Sequence, residues 1–168
     1  GTFNLALDMA LELPSLNHVY FVENDYLHKD DSWEVLQQGI RLGFPYVTLY
    51  DHIDKYIPKH QGGNPFIESD GGEHSKVYLT KSCHWKITNS TTMTFASTVK
   101  DLQKDEPILR KWTKETHPHD FNMFTELRQD HRYVISSIPG YATHGELQWL
   151  APLTNWKEVA LTKTINLV

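Results

Sequence analysis

A single cysteine, Cys83, excludes any disulfide within the chain and favours a reducing compartment. No cluster of lysine and arginine interrupts a formal net charge of −5, so the electrostatic footprint of DNA or RNA binding is missing and no nucleic-acid partner is expected. No apolar run reaches the length that spans a bilayer and no signal-peptide pattern is visible, so no integral membrane segment is expected and the setting reads as cytoplasmic. Internal repeats and low-complexity tracts are also missing. What the chain has in quantity is aromatic: Phe, Trp and Tyr make 12% of it, with 5 Trp and 8 Tyr, which suits a packed core or a cleft whose rings stack on sugars. Its 168 residues can bury one core, so a single domain over 1–168 is expected.

Hydrophobic spacing divides the chain into alternating elements. Phe3, Ala6, Leu7, Ala10 and Leu13 recur at helical spacing behind Thr2 as a cap, with Pro14 as the stop. An apolar, buried strand is predicted over 19–22. A second helix follows Asp31 or Ser32, with Trp33, Leu36 and Ile40 on one stripe and Gly43 beyond it, and a strand is predicted over 46–50. Helix, strand, helix, strand is the alternation of an α/β fold, and it implies a mixed but mainly parallel sheet flanked by helices. Residues 51–75 lose all period: Pro58, Gly62, Gly63, Pro65, Gly71 and Gly72 punctuate a long loop, and such loops in compact domains are more often functional or disordered than neutral. Strands resume over 76–79, 84–88 and 91–96, with Asn89 and Ser90 suited to a turn between the last two. Helices are expected over 98–104, 107–114 with Pro107 in the first position, and 121–129; a short strand over 133–136 precedes a Pro-Gly loop and a tail near Trp156.

The strand over 19–22 ends in Glu23-Asn24-Asp25. Residues i and i+2 of a strand point the same way, so Glu23 and Asp25 would aim two carboxylates at one point. At the carboxyl edge of an α/β sheet, where ligands collect, two such oxygens can hold a divalent cation with positions left for a diphosphate; alternatively they are solvated turn residues. Asp120, following His117, Pro118 and His119, is either a helix cap or a carboxylate facing a substrate, and its two oxygens make the roles compatible. His144 lies in a loop shaped by Pro139, Gly140 and Gly145. Asp51, His52 and Asp54 either bind a metal or sugar hydroxyls or merely begin the long loop; the hydroxyls of 90–94 suit a sheet face or an acceptor cleft, and Trp85 and Trp149 suit the core or a sugar face.

An acid-x-acid pair after a hydrophobic strand, then an acid at a helix start, then a loop histidine resembles, in that order, the GT-A fold of nucleotide-sugar glycosyltransferases. The segment Glu23-x-Asp25-Tyr26-x-His28 is similar to that of small glycosyltransferase-like proteins of bacteria and large DNA viruses, and the resemblance covers most of the chain. It implies a metal-dependent domain that moves a sugar from a nucleotide-sugar donor to a hydroxyl of a glycan or glycoconjugate with inversion. Asp25 and Glu23 would hold Mn²⁺ or Mg²⁺ on the donor diphosphate, Asp120 would be the general base, and His144 would return to the same ion. Imidazole suits Mn²⁺ better than Mg²⁺. Domains of that fold begin with a strand and helix that bind the base and ribose; the sequence opens on Gly1-Thr2-Phe3 without them and without an initiator Met, so it reads as lacking that first unit. Asn24 stands where a further acid is often found, on the side away from its two neighbours. Two other readings stay open: a metal-dependent nucleotidyltransferase on a similar scaffold, and a non-catalytic carbohydrate-binding module.

Overall fold

Tyr46, Phe95 and Val134 belong to one buried cluster, while their neighbours Val47, Ala96 and Ile135 belong to another. Successive residues of a strand face opposite ways, so a sheet built from these segments needs cover on both faces. In the computed structural model, which describes residues 1–67 and 69–165, helices supply it. On the first face, α1 (Thr2–Leu11), α3 (Val99–Thr113) and α4 (Asp120–Gln129) bring Phe3, Leu7, Leu102, Leu109 and Phe124 onto the sheet. On the second, α2 (Ser32–Ile40) brings Val35 and Leu36. That helix approaches closely because of Gly39, where a Cβ would stand 2.4 Å from the ring of fully buried Trp85.

The sheet has six strands in the order β1 (His18–Phe21), β6 (Phe95–Thr98), β3 (Tyr46–Thr48), β7 (Val134–Ile138), β5 (His84–Thr88) and β4 (Val77–Leu79). The expectation of a mainly parallel sheet is corrected: β3 and β7 pair in parallel, and the other four neighbouring pairs are antiparallel. The cause is β6, which enters between β1 and β3 and opposes both, so the βαβ unit from β1 through α2 to β3 spans a gap that an antiparallel strand fills. The expected turn between 84–88 and 91–96 likewise gives way, since β5 and β6 lie apart in the sheet. β1 is an edge strand and only partly buried, not the fully covered strand its apolar sequence suggested. A second, two-stranded sheet pairs β2 (Tyr26–His28) with β8 (Ala142–His144), and α5 (Trp156–Ile165) packs beside it.

Local details depart from the sequence in instructive ways. α1 starts behind Gly1, so Thr2 is its first residue and not a cap. α3 runs unbroken through Pro107 where two helices were expected. Leu102 and Leu109 anchor it on either side of the proline, and Thr98 caps it by accepting the Asp101 N–H at 3.0 Å. Buried Asp105 on α3 receives the Tyr46 hydroxyl at 2.7 Å and the Arg132 guanidinium at 2.6 Å, tying helix, β3 and the start of β7 together. Among the described residues no helix is long and apolar enough to cross a membrane.

Candidate functional site

β1 and β3 both oppose β6, and β7 runs with β3, so the chain leaves β1, β3 and β7 at the same edge of the sheet and enters β6 there. Glu23 and Asp25 follow β1, Tyr50 and His52 follow β3, and Thr92 and Thr94 precede β6. The edge where parallel strands end is where α/β sheets collect ligands. A cleft of about 850 Å³ between α1 and the outer side of β1, lined by Phe3, Met9, Tyr20 and Val22, opens onto Glu23 and Asp25.

The expectation that Glu23 and Asp25 share an orientation by strand geometry is corrected, because β1 ends at Phe21. The chain turns there: the Glu23 carbonyl accepts the Tyr26 N–H at 3.4 Å, and the Glu23 N–H donates to Thr94 Oγ1 at 3.0 Å. The turn leads into β2, whose pairing with β8 sets Tyr26 opposite His144. His144 therefore lies at the end of a strand and not in a free loop, with its Nε2 3.1 Å from Asp25 Oδ2. Gly145 makes this approach possible, because a Cβ there would stand 2.7 Å from the Asp25 carbonyl oxygen. The Glu146 N–H donates to His144 Nδ1 at 3.1 Å, which puts the imidazole proton on Nε2, facing Asp25.

Asp120 is the first residue of α4, whose cap is His119 without a side-chain bond, so its expected place as the cap is corrected by one residue. Burial pushes its carboxyl above the ordinary range, and the main-chain N–H groups of Asp120 and Phe121, two of the donors a helix start leaves free, with the charges of His52 and Lys55, pull it part of the way back. Glu23 is raised too, by burial first and then by the negative charges of Asp25 and Asp120, against His144 and the Met93 main chain. Glu23 thus feels Asp25 two positions on and the distant Asp120 and His144.

A set of residues that the sequence reading undervalued completes the edge. From His144 a chain of rings runs through Tyr26 (centroids 5.5 Å apart), Tyr50 (5.5 Å) and His52 (5.0 Å) to Trp149 (5.4 Å). Tyr26 is fastened by its hydroxyl to Thr92, and Tyr50 donates to the Trp149 carbonyl at 2.7 Å. His52 Nδ1 stands 3.0 Å from Asp54 Oδ1. Burial would raise the Asp54 carboxyl, but His52 and Lys55 outweigh it and hold it below its usual range. Asp51, by contrast, is wholly buried between Lys86 and the Tyr56 hydroxyl, and Trp85 is core, donating to Thr80 Oγ1 at 3.1 Å; neither faces the edge. A signal for the ring chain was present in Tyr26, next to the acidic pair, and in Tyr50 at the end of a strand.

The donors at Asp25 and His144 are compatible with a divalent ion. Two ligands at right angles on an octahedral ion with bonds of about 2.1 Å stand about 3 Å apart, close to the separation of Asp25 Oδ2 and His144 Nε2. Ligation through Nε2 would require the other tautomer and release of the Glu146 N–H. Among the described residues no group of three or more His, Cys, Asp or Glu side chains is gathered as a ligand set. In comparisons with known proteins, no family model, curated protein or solved structure matches the chain.

Proposed function

We propose that this domain transfers a sugar from a nucleotide-sugar donor to a glycan hydroxyl with inversion. The observation that carries the reading is the convergence of Glu23, Asp25, His144 and Asp120 at the edge where β1, β3 and β7 end. Asp25 and His144, with Glu23 beside them, would hold Mn²⁺, whose chemistry when bound is to offset the charge of a diphosphate leaving group. Asp120 takes the proton of the acceptor hydroxyl as that oxygen bonds to the anomeric carbon and the carbon–diphosphate bond breaks; the proton stays on Asp120 and the diphosphate leaves with the bonding pair. Its half-buried position and upward-shifted carboxyl suit a base that must hold that proton through one displacement.

The test is calorimetric titration of UDP and GDP into the protein with and without Mn²⁺, for wild type and Asp25→Ala. Metal-dependent diphosphate binding, largely lost in Asp25→Ala, is the expected result; binding indifferent to Mn²⁺ and to Asp25 overturns the site. Product analysis separates the enzyme readings, because glycosyl transfer releases nucleoside diphosphate and nucleotidyl transfer releases pyrophosphate.

A further inference from the structure

Three of the five tryptophans have a partner for the indole N–H, and a fourth stands largely in solvent. The indole N–H of Trp85 is held by Thr80, that of Trp112 by Glu126 and that of Trp156 by the Ala151 carbonyl, while Trp33 stands 60% exposed on α2 with no ring against it. Trp149 differs from all of these. It sits half-buried in the short 3₁₀ turn Leu147–Trp149 just after β8, packed by His52 at 5.4 Å, and its indole N–H has no partner among the described residues. Its fixation comes from the main chain, through the carbonyl that accepts the Tyr50 hydroxyl. An indole so held keeps one face and one donor available.

The neighbours of this ring are polar on one side. His52 Nδ1 is engaged by Asp54, and His52 Nε2 has no hydrogen-bond partner among the described residues. A pyranose has an apolar patch of C–H bonds on one face and hydroxyls around its rim. It is the ligand class that matches an aromatic face bordered by an indole N–H and an imidazole nitrogen.

We propose that Trp149 is the stacking platform for a pyranose ring of the acceptor, with His52 Nε2 and the indole N–H at its hydroxyl rim. The platform deepens the glycosyl-transfer reading and rests on it for the word acceptor, whereas the sugar contact itself is independent of turnover. It places the acceptor ring at the end of the ring chain away from His144 and Asp25.

Saturation-transfer NMR with methyl β-D-galactopyranoside and methyl β-D-glucopyranoside, without nucleotide or metal, tests it. Wild type should transfer saturation most strongly to the C–H protons of one pyranose face. Trp149→Ala, which keeps the main-chain carbonyl that Tyr50 bonds, should weaken binding at least about fivefold, and Trp149→Phe should recover most of the loss. Unchanged binding in Trp149→Ala, or no transfer to either glycoside in wild type, overturns the platform. If the platform holds while Mn²⁺-dependent UDP and GDP binding is absent, the glycosyl-transfer reading fails and Trp149 belongs to a carbohydrate-binding module instead.

Discussion

Gly145→Ala puts the edge geometry to its sharpest test. A Cβ at this position would stand 2.7 Å from the Asp25 carbonyl oxygen, and real Cβ atoms essentially never come within 3.0 Å of another heavy atom, ordinary contact beginning at 3.4 Å. The two strands must therefore part by at least 0.3 Å, and by 0.7 Å for full relief, from the differences 3.0 − 2.7 and 3.4 − 2.7. The obstacle is backbone, so no side chain can swing away. The Asp25–His144 contact, now 3.1 Å, would stretch to about 3.4–3.8 Å, weakened at the near end of that range and lost at the far end. Overpacking of this kind costs about 1–3 kcal/mol, and for a domain of this size each kcal/mol lowers Tm by about 2–4 °C. Thermal unfolding followed by circular dichroism, together with Mn²⁺-dependent UDP titration, measures both effects. His144→Ala is the companion variant, removing the imidazole without pushing β2 from β8. A Gly145→Ala protein with wild-type Tm and wild-type diphosphate binding would refute the close approach and the reasoning built on it.

Asp120→Asn separates catalysis from capping. Burial raises the folded-state pKa of Asp120, so its contribution to stability is present below the unfolded value, about 3.9, and is lost as pH rises through the folded value. At neutral pH the neutral Asn variant should be at least as stable in urea as wild type, with the difference closing in acid. Its transfer rate should fall about 10²–10⁴-fold, and the wild-type rate should decline in acid with a midpoint above the ordinary Asp range; an Asn variant weaker by a cap's worth, about 1 kcal/mol, yet fully active, would make Asp120 a helix residue only. Asp105→Ala should cost about 3–5 kcal/mol in urea unfolding, because the buried Tyr46 hydroxyl loses its acceptor and Arg132 keeps only Asp101, at 2.7 Å. A loss under about 1 kcal/mol would mean that water replaces the carboxylate.

Helices were legible wherever their apolar stripe was regular, as in α1 and α2, because one buried face against water is a local property. Sheet order was not, since nothing in the residues from β1 to β3 announces that a strand seventy residues later will lie between them. For the candidate site, the residue types could be picked out in the sequence, but their geometry was misread. Glu23 and Asp25 were found by residue type, but their common direction was inferred from a strand that stops at Phe21. His144 was read as a loop residue because β8 is three residues long and ends on it. Pairing with β2 brings it to Asp25, and so short a two-stranded sheet leaves almost no periodic trace.

Residues 51–75, which carry no period in sequence, are ordered by charges that hydropathy would place in water. Lys55 is 1% exposed, and its ammonium donates to Asn89 Oδ1 at 2.8 Å and Ser90 Oγ at 2.7 Å, with Asp54 Oδ1 paired to it at 3.5 Å. Burial lowers its pKa against Asp54 and Glu73. For Lys86, burial acts the same way but is outweighed by Asp51, then Tyr56 and Glu73, and its pKa rises. Asn64, midway along the loop, accepts from Asn89 Nδ2 at 2.8 Å. The beginning, middle and end of the segment are thus each bound to β5 or to the residues that follow it, through groups whose bonds have definite directions. An apolar anchor of the same area would tolerate sliding, whereas these partners fix one register. That register also holds His52 and Lys55, whose charges offset part of the effect of burial on Asp120, so the segment that looks least structured in sequence shapes the surroundings of that carboxyl.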